Sequence, residues 1–182
     1  PPAGTGSDDS TILAALPQET LARLILPLGD FAPEDVAEMM NNVELRFSYR
    51  AEQEQKKLVL FGEEDIFLSC DRDWILEAVD NIVKNAMDHT KSGDTIEIKW
   101  RKSASIVQIQ IKDNGSGIHP EDLHHIFKRF YRSRFSKDQQ GIGLGLPLAK
   151  MIIEAHNGTI EVNSELGKGT MFTISFLIPI KL

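Results

Sequence analysis

Asn81, Asn85 and His89 recur every four residues, a spacing that places all three along one face of a helix. An amide oxygen is a hard, neutral ligand. It suits Mg2+, which keeps several waters and completes its shell with substrate phosphates. Two amides one turn apart can open into one cleft, although an isolated asparagine is most often an exposed residue. Asp113-Asn114-Gly115-Ser116-Gly117-Ile118 offers a second chemistry. An acid at the end of an alternating apolar run, followed by two glycines one residue apart, makes a tight turn with an exposed carboxylate. That carboxylate can accept a hydrogen bond from an exocyclic amine of the kind adenine carries. Gly115 and Gly117 let a flat ring lie against the backbone. The same Asp-Asn-Gly string is also an ordinary hairpin turn. A third cluster, Gly141-Ile142-Gly143-Leu144-Gly145-Leu146, precedes a helical pattern, and the free N–H groups and dipole of a helix start attract phosphate. Between the second and third clusters lie Arg132, Arg134 and Lys137. These cations can meet phosphate oxygens, or can belong to a solvated surface loop.

The elements that must carry these residues follow from periodicity. Asp71 is an N-cap for a helix whose apolar stripe is Trp74, Ile75, Ala78, Val79, Ile82, Val83 and Ala86. Residues 95–100 and 106–111 alternate and read as an antiparallel pair, as do 159–162 and 170–178. Upstream, 57–61 and 66–70 suggest two strands flanking the turn Gly62-Glu63-Glu64-Asp65. Pro33 reads as the first-turn proline of a helix to about residue 55, with Val36, Met39, Met40, Val43 and Phe47 on its apolar face. Pro120 reads as opening a short helix over 121–130. The polar segment 132–140 reads as a mobile lid. A helix over 144–156 ends at Asn157-Gly158. The first ten residues have a disordered composition, and 11–28 leaves room for one short helix over 19–26. The sum is α+β: a two-layer sandwich with a mixed, mostly antiparallel sheet and helices on one face.

Composition bounds the function. A chain of 182 residues suits one domain with perhaps a small appendage, and its 41% apolar and 26% charged residues are ordinary for a globular protein. A net charge of −7 argues against nucleic-acid binding. No apolar run approaches the ~20 residues of a membrane span. The single cysteine, Cys70, excludes an intrachain disulfide and a cysteine-rich zinc site, and reads as a small buried apolar group. The pattern G-x-x-x-x-G-K-[ST] is absent, which excludes a P-loop, and no Rossmann fingerprint follows a strand. The chain reads as a soluble intracellular domain, free-standing or cut from a longer membrane protein.

Taken in order, these boxes resemble the catalytic, ATP-binding domain of a sensor histidine kinase, in the superfamily of gyrase, Hsp90, histidine kinases and MutL. The resemblance covers roughly residues 33–182, with 1–32 a disordered start followed by a short helical or foreign segment. It rests on the asparagine box at 81–90, the first glycine box at 113–118 and the phenylalanine box Ile126-Phe127-Lys128-Arg129-Phe130-Tyr131-Arg132. The second glycine box at 141–146 and the third, Gly167-Lys168-Gly169-Thr170, complete it. The resemblance implies a Bergerat-type ATP-binding fold with a lid over 132–143, and ATP and Mg2+ as cofactors. Asn85 would hold the metal, Asn81 would face the phosphates and His89 would sit against adenine or ribose. Asp113 would read the adenine amine within the box that includes Gly115, Gly117 and Ile118, with Thr170 behind that pocket. Tyr131, Arg132 and Lys137 would close over the phosphates. Gly141, Gly143 and Gly145, with Leu144 and Leu146, would line them, and Phe127 and Phe130 would brace the lid. Implied partners are a dimerising, histidine-bearing helical hairpin of the same kinase and a response regulator receiver domain. Neither nucleic acid nor direct membrane contact is implied for this domain, which would be the cytoplasmic part of a membrane-anchored bacterial sensor.

Three features depart from that pattern. Asp88 stands where many relatives carry a phosphate-directed lysine, Pro147 follows the second glycine box, and none of the five histidines lies in a context like H-E-L-R-x-P. The phosphoacceptor is therefore expected on another domain. Two other functions compete: an ATPase switch of the Hsp90 or MutL kind, and a non-enzymatic nucleotide- or partner-binding module. The ATPases place a glutamate where Asn81 stands, and an amide is no general base at neutral pH.

Overall fold

The computed structural model describes residues 31–133 and 143–178. The expectations for 1–30, and those for Arg134, Lys137, Gly141 and Ile142, lie outside the described residues. In chain order the elements are β1 (Pro33–Asp35), α1 (Val36–Gln53), β2 (Lys57–Gly62), β3 (Phe67–Ser69), α2 (Arg72–Asp88), β4 (Thr95–Lys102), β5 (Ile106–Asp113), α3 (Gly145–Ala155), β6 (Gly158–Glu165) and β7 (Gly169–Leu177).

The main sheet has the order β2-β4-β5-β7-β6, antiparallel except for the β2–β4 pair. One row of that register, Leu60–Ile98–Ile111–Phe172–Val162, crosses all five strands on a single face. Strand alternation sends Glu97, Lys99, Gln110, Lys112 and Thr173 to the other face. The apolar face is covered by the helices, whose buried stripes include Met39, Met40 and Val43 of α1, Val79, Ile82 and Val83 of α2, and Leu148, Ile152 and Ile153 of α3. This is the two-layer α+β arrangement that the periodicities predict.

Several local differences have physical causes. Pro33 does not start a helix. It lies in β1, which pairs antiparallel with β3 as a separate two-stranded sheet, and Asp35 is the N-cap, its carboxylate accepting the Glu38 N–H at 3.2 Å. β2 and β3 are accordingly not a hairpin. β2 joins the main sheet beside β4, and parallel neighbours require a long crossover, here through β3 and α2. Residues 121–130 form a chain of turns instead of a helix, with bonds such as Asp122 N–H to His119 C=O at 2.8 Å and Lys128 N–H to His125 C=O at 2.9 Å.

α2 is the element that carries the site, and it is fixed at both ends. The Asp71 carboxylate accepts the N–H groups of Asp73 and Trp74. At the other end the Lys56 ammonium reaches the Met87 carbonyl at 2.6 Å, supplying the cation that the last turn of α2 itself lacks. α3 begins without a side-chain cap, and Pro147 sits in its first turn, where a missing N–H breaks no intrahelical bond. Asn157, in the left-handed region at φ 56°, ends it.

Candidate functional site

β5 runs two residues past Ile111, so Asp113 continues the inward phase of Val107, Ile109 and Ile111. Its side chain therefore turns toward the helix layer, and Asp113 is 4% exposed. The exposed carboxylate expected from the turn is thus corrected to a buried one. Asp113 Oδ1 accepts the Gly115 N–H at 2.9 Å, and the Thr170 N–H lies close enough to act on the charge of this carboxylate. Burial pushes its pKa up. Those two N–H groups and the nearby His89 oppose the rise, while Asp94 adds to it.

The loop after Asp113 is seated directly on the end of α2. His89, the C-cap, accepts the Ser116 N–H at 3.1 Å through its carbonyl. A Cβ on Gly115 would stand 2.2 Å from that same carbonyl oxygen, so only glycine permits the approach. The third glycine box locks onto the first. Ser116 C=O accepts the Gly167 N–H at 2.7 Å. Gly169, at φ +117°, passes so close to Asp113 that a Cβ would lie 2.0 Å from its carbonyl oxygen. The Ser164 hydroxyl completes the join by accepting the Ile118 N–H at 2.8 Å and donating to the Gly169 carbonyl at 3.0 Å. Thr170 Oγ1 lies 2.9 Å from it. Nothing local in the sequence marks Ser164 for this role, because a serine in an alternating strand carries no signal of its own.

The second glycine box meets the other end of the helix face. A Cβ on Gly145, the first residue of α3, would be 2.9 Å from Asn81 Oδ1. The Asn81 amide nitrogen is turned the other way, to the Glu77 carbonyl at 2.9 Å and the Glu77 carboxylate at 3.1 Å. Asn85 lies one turn further along and is half-buried; its carbonyl accepts the His89 N–H at 3.1 Å, and its side-chain amide makes no hydrogen bond to a described residue. Leu144 and Leu146 flank Gly145. Gly143, at φ +76°, accepts the Phe130 N–H at 3.0 Å, which ties the phenylalanine box to the start of α3.

Phe127 packs edge-on against Phe172 at 6.3 Å, with the Lys150 ammonium 5.2 Å over its ring. Phe130 is exposed, in the left-handed region at φ 61°. Tyr131 donates to Asp122, and Arg132 is exposed. Asp88, in the place of a phosphate-directed lysine, is paired with Arg50 of α1 at 2.7 Å. On the outer face of the sheet a shallow concavity of about 310 Å³, lined by Phe61, Lys99, Arg101, Gln108 and Gln110, lies away from these groups.

The arrangement suits a nucleotide. A buried acceptor and a glycine-rich loop sit at one end of the half-buried Asn81–Asn85–His89 face of α2, with an uncapped helix start at the other. The described residues hold no cluster of three His, Cys, Asp or Glu side chains for a metal. A divalent ion held here would take Asn85 and draw its remaining ligands from phosphate and water, as Mg2+ does.

Fold and site thus define a two-layer α+β sandwich with a cleft over α2 whose chemistry suits a nucleotide. The family described as histidine kinase-, DNA gyrase B- and HSP90-like ATPase matches residues 70–180, and the chain belongs to it. Sensor histidine kinase YclK of Bacillus subtilis is 34% identical over 160 residues, 86% of this chain and 32% of its own length. Sensor protein SrrB of Staphylococcus aureus is 36% identical over 148 residues, 80% of this chain and 25% of its own. The chain therefore spans about a quarter to a third of these relatives. Among solved structures, the catalytic domain of histidine kinase ThkA has a TM-score of 0.73 at 23% identity, covering 82% of this chain and 98% of that one. Acinetobacter baumannii histidine kinase AdeS has 0.72 at 25%, covering 93% and 75%. ThkA is also known in complex with response regulator protein TrrA. No helix among the described residues is long and apolar enough to cross a membrane.

Proposed function

We propose that this chain binds Mg2+-ATP and donates the γ-phosphoryl group to a histidine on a helical hairpin belonging to another domain of the same kinase. The observation that carries the reading is the convergence on one face of α2. The Gly115 loop rests on the His89 carbonyl and the Gly145 helix start rests on the Asn81 amide, so the two ends of a nucleotide would have fixed stations. Asp113 would accept the adenine amine, with Gly117 and Ile118 flooring the ring and Thr170 behind it. His89 would lie beside adenine or ribose. The first-turn N–H groups of Gly145 and Leu146 would meet phosphate oxygens with Gly143, Leu144, Tyr131 and Arg132 around them. Asn85 would ligate Mg2+, which when bound neutralises phosphate charge. The chain's own part is to orient the triphosphate and leave its terminal group open to an external nucleophile.

The kinase relatives support placing residues 33–182 as the cytoplasmic catalytic domain of a membrane-anchored bacterial sensor, with the hairpin and a receiver domain as protein partners. The named complex of ThkA with TrrA is the precedent for the second. Incubating the chain with Mg2+, γ-labelled ATP and an added histidine-hairpin domain tests this. Label on the hairpin histidine supports transfer. Free phosphate without labelled hairpin supports an ATPase switch, and binding with neither supports a non-enzymatic module.

A further inference from the structure

We propose that Asp122 is a positioning residue that holds Arg132 ready for the terminal phosphate of a bound nucleotide; the inference rests on the nucleotide-binding reading above. Asp122 is 2% exposed, and a carboxylate taken that far from water needs donors around it. Two of them flank Arg132. Tyr131 donates its O–H to Oδ1 at 2.5 Å, and the Ser133 hydroxyl donates to Oδ2. The ring of His125 packs against that of Tyr131 at 5.3 Å and backs it. With the side chains before and after it drawn onto one buried carboxylate, Arg132 is turned outward. It is exposed, and it makes no hydrogen bond or ion pair with a described residue.

The backbone leading to it is fixed as well. Phe130 donates its N–H to the Gly143 carbonyl, and a Cβ on Gly143 would stand 2.6 Å from the Tyr131 carbonyl oxygen. Gly143 lies two residues before the first residue of α3. The backbone that carries the Arg132 cation is thus tethered to the residues just before α3, so an anion drawn to the positive end of that helix would enter within reach of a guanidinium that no described residue pairs. The anion that the reading supplies is the end of a triphosphate. A diphosphate is one phosphoryl group shorter, so the brace should govern the preference for triphosphate more than binding as such.

The test is calorimetric titration of the chain with ADP and with a non-hydrolysable ATP analogue, each with Mg2+. Wild type, Asp122→Ala, Arg132→Ala and the double variant are compared, with thermal unfolding as the check on folding. Expected is a loss of about 5- to 30-fold in analogue affinity for Asp122→Ala, the scale of one buried hydrogen-bond partner. ADP affinity should stay within about twofold, and the double variant should bind the analogue no worse than Arg132→Ala alone. Tyr131→Phe, which removes one hydroxyl, should show a smaller loss of the same selectivity and serves as the reading if Asp122→Ala does not fold. Equal losses for ADP and analogue, or losses that add in the double variant, would mean that Asp122 merely supports the turns, and would overturn the proposal. Wild-type protein that binds neither nucleotide would overturn the nucleotide reading itself, and the proposal with it.

Discussion

Replacing Asp113 by asparagine should make the nucleotide-free protein more stable and its ATP site worse. The carboxylate holds the Gly115 N–H on Oδ1 at 2.9 Å, and the nearby Thr170 N–H also favours an acceptor there. An asparagine has one acceptor oxygen, and that oxygen stays with the backbone donors, because turning it away would face an NH2 group against buried N–H groups. The NH2 then points to the place where an adenine amine needs an acceptor. Two donors face each other, at a cost of roughly 1–3 kcal/mol, about 5- to 150-fold in Kd. The stability effect runs the opposite way. Burial raises the pKa of Asp113, so the folded state favours the protonated acid. Its contribution to stability is full below the ordinary carboxylate range and is lost as pH rises through that range to the raised folded value. Asparagine is neutral throughout. The variant should therefore gain on wild type across that window and keep the advantage at pH 7. Calorimetry with ADP and urea unfolding at pH 4 and pH 7 check both halves. Unchanged ADP affinity in a folded variant would refute the adenine role. A stability difference that does not grow in the variant's favour between the two pH values would refute the titration argument.

Asn85→Ala should weaken Mg2+-dependent ATP binding more than metal-free ADP binding, with thermal unfolding unchanged; equal losses with and without Mg2+ in calorimetry would remove the metal role. Gly169→Ala should destabilise the fold by roughly 1–3 kcal/mol, read as a lowered urea midpoint, because φ +117° is strained for alanine and its Cβ would meet the Asp113 carbonyl oxygen. A midpoint equal to wild type would show that the two glycine boxes are not locked together. Burial pushes the Cys70 thiol up to about 12, so iodoacetamide at pH 8 should leave the folded chain unmodified and label it in urea. Rapid labelling without denaturant would show that the β3–α2 junction opens.

What could be read from the sequence was local. The stripe and cap of α2 lie within one stretch of helix, and the alternation of β4, β5 and β7 fixes which face each side chain takes. A period of four puts Asn81, Asn85 and His89 on one face from the sequence alone. What was hidden depends on partners far along the chain. Pro33 resembles a helix start, yet its register partner is Ser69, and no local signal announces that pairing. Glu121 and Asp122 resemble the acidic first turn of a helix, but the Asp122 carboxylate is committed to Tyr131 and Ser133, nine and eleven residues on. That commitment favours a string of tight turns. The burial of Asp113 has no local signal for a simpler reason: the apolar run stops at Ile111 while the strand continues to Asp113 in the same phase.

The choice between transfer and hydrolysis turns on where the carboxylates of α2 point. A general base has to reach the proton that it takes and be unoccupied when it does so. Asp71 caps the helix, Asp73 lies in its exposed first turn, and Asp80 and Asp88 are directed at Arg46 and Arg50 of α1. Glu77 is the acid one turn before Asn81, and its carboxylate receives the Asn81 amide nitrogen at 3.1 Å. With that nitrogen also held by the Glu77 carbonyl at 2.9 Å, Asn81 Oδ1 is the atom left facing Gly145 and the start of α3. The helix thus presents a neutral acceptor where a water-activating ATPase needs an ionised acid, and its nearest acid serves to orient that neutral group. A nucleotide seated there would keep its terminal phosphoryl group until a nucleophile from another domain arrived, the behaviour that a phosphotransfer domain requires.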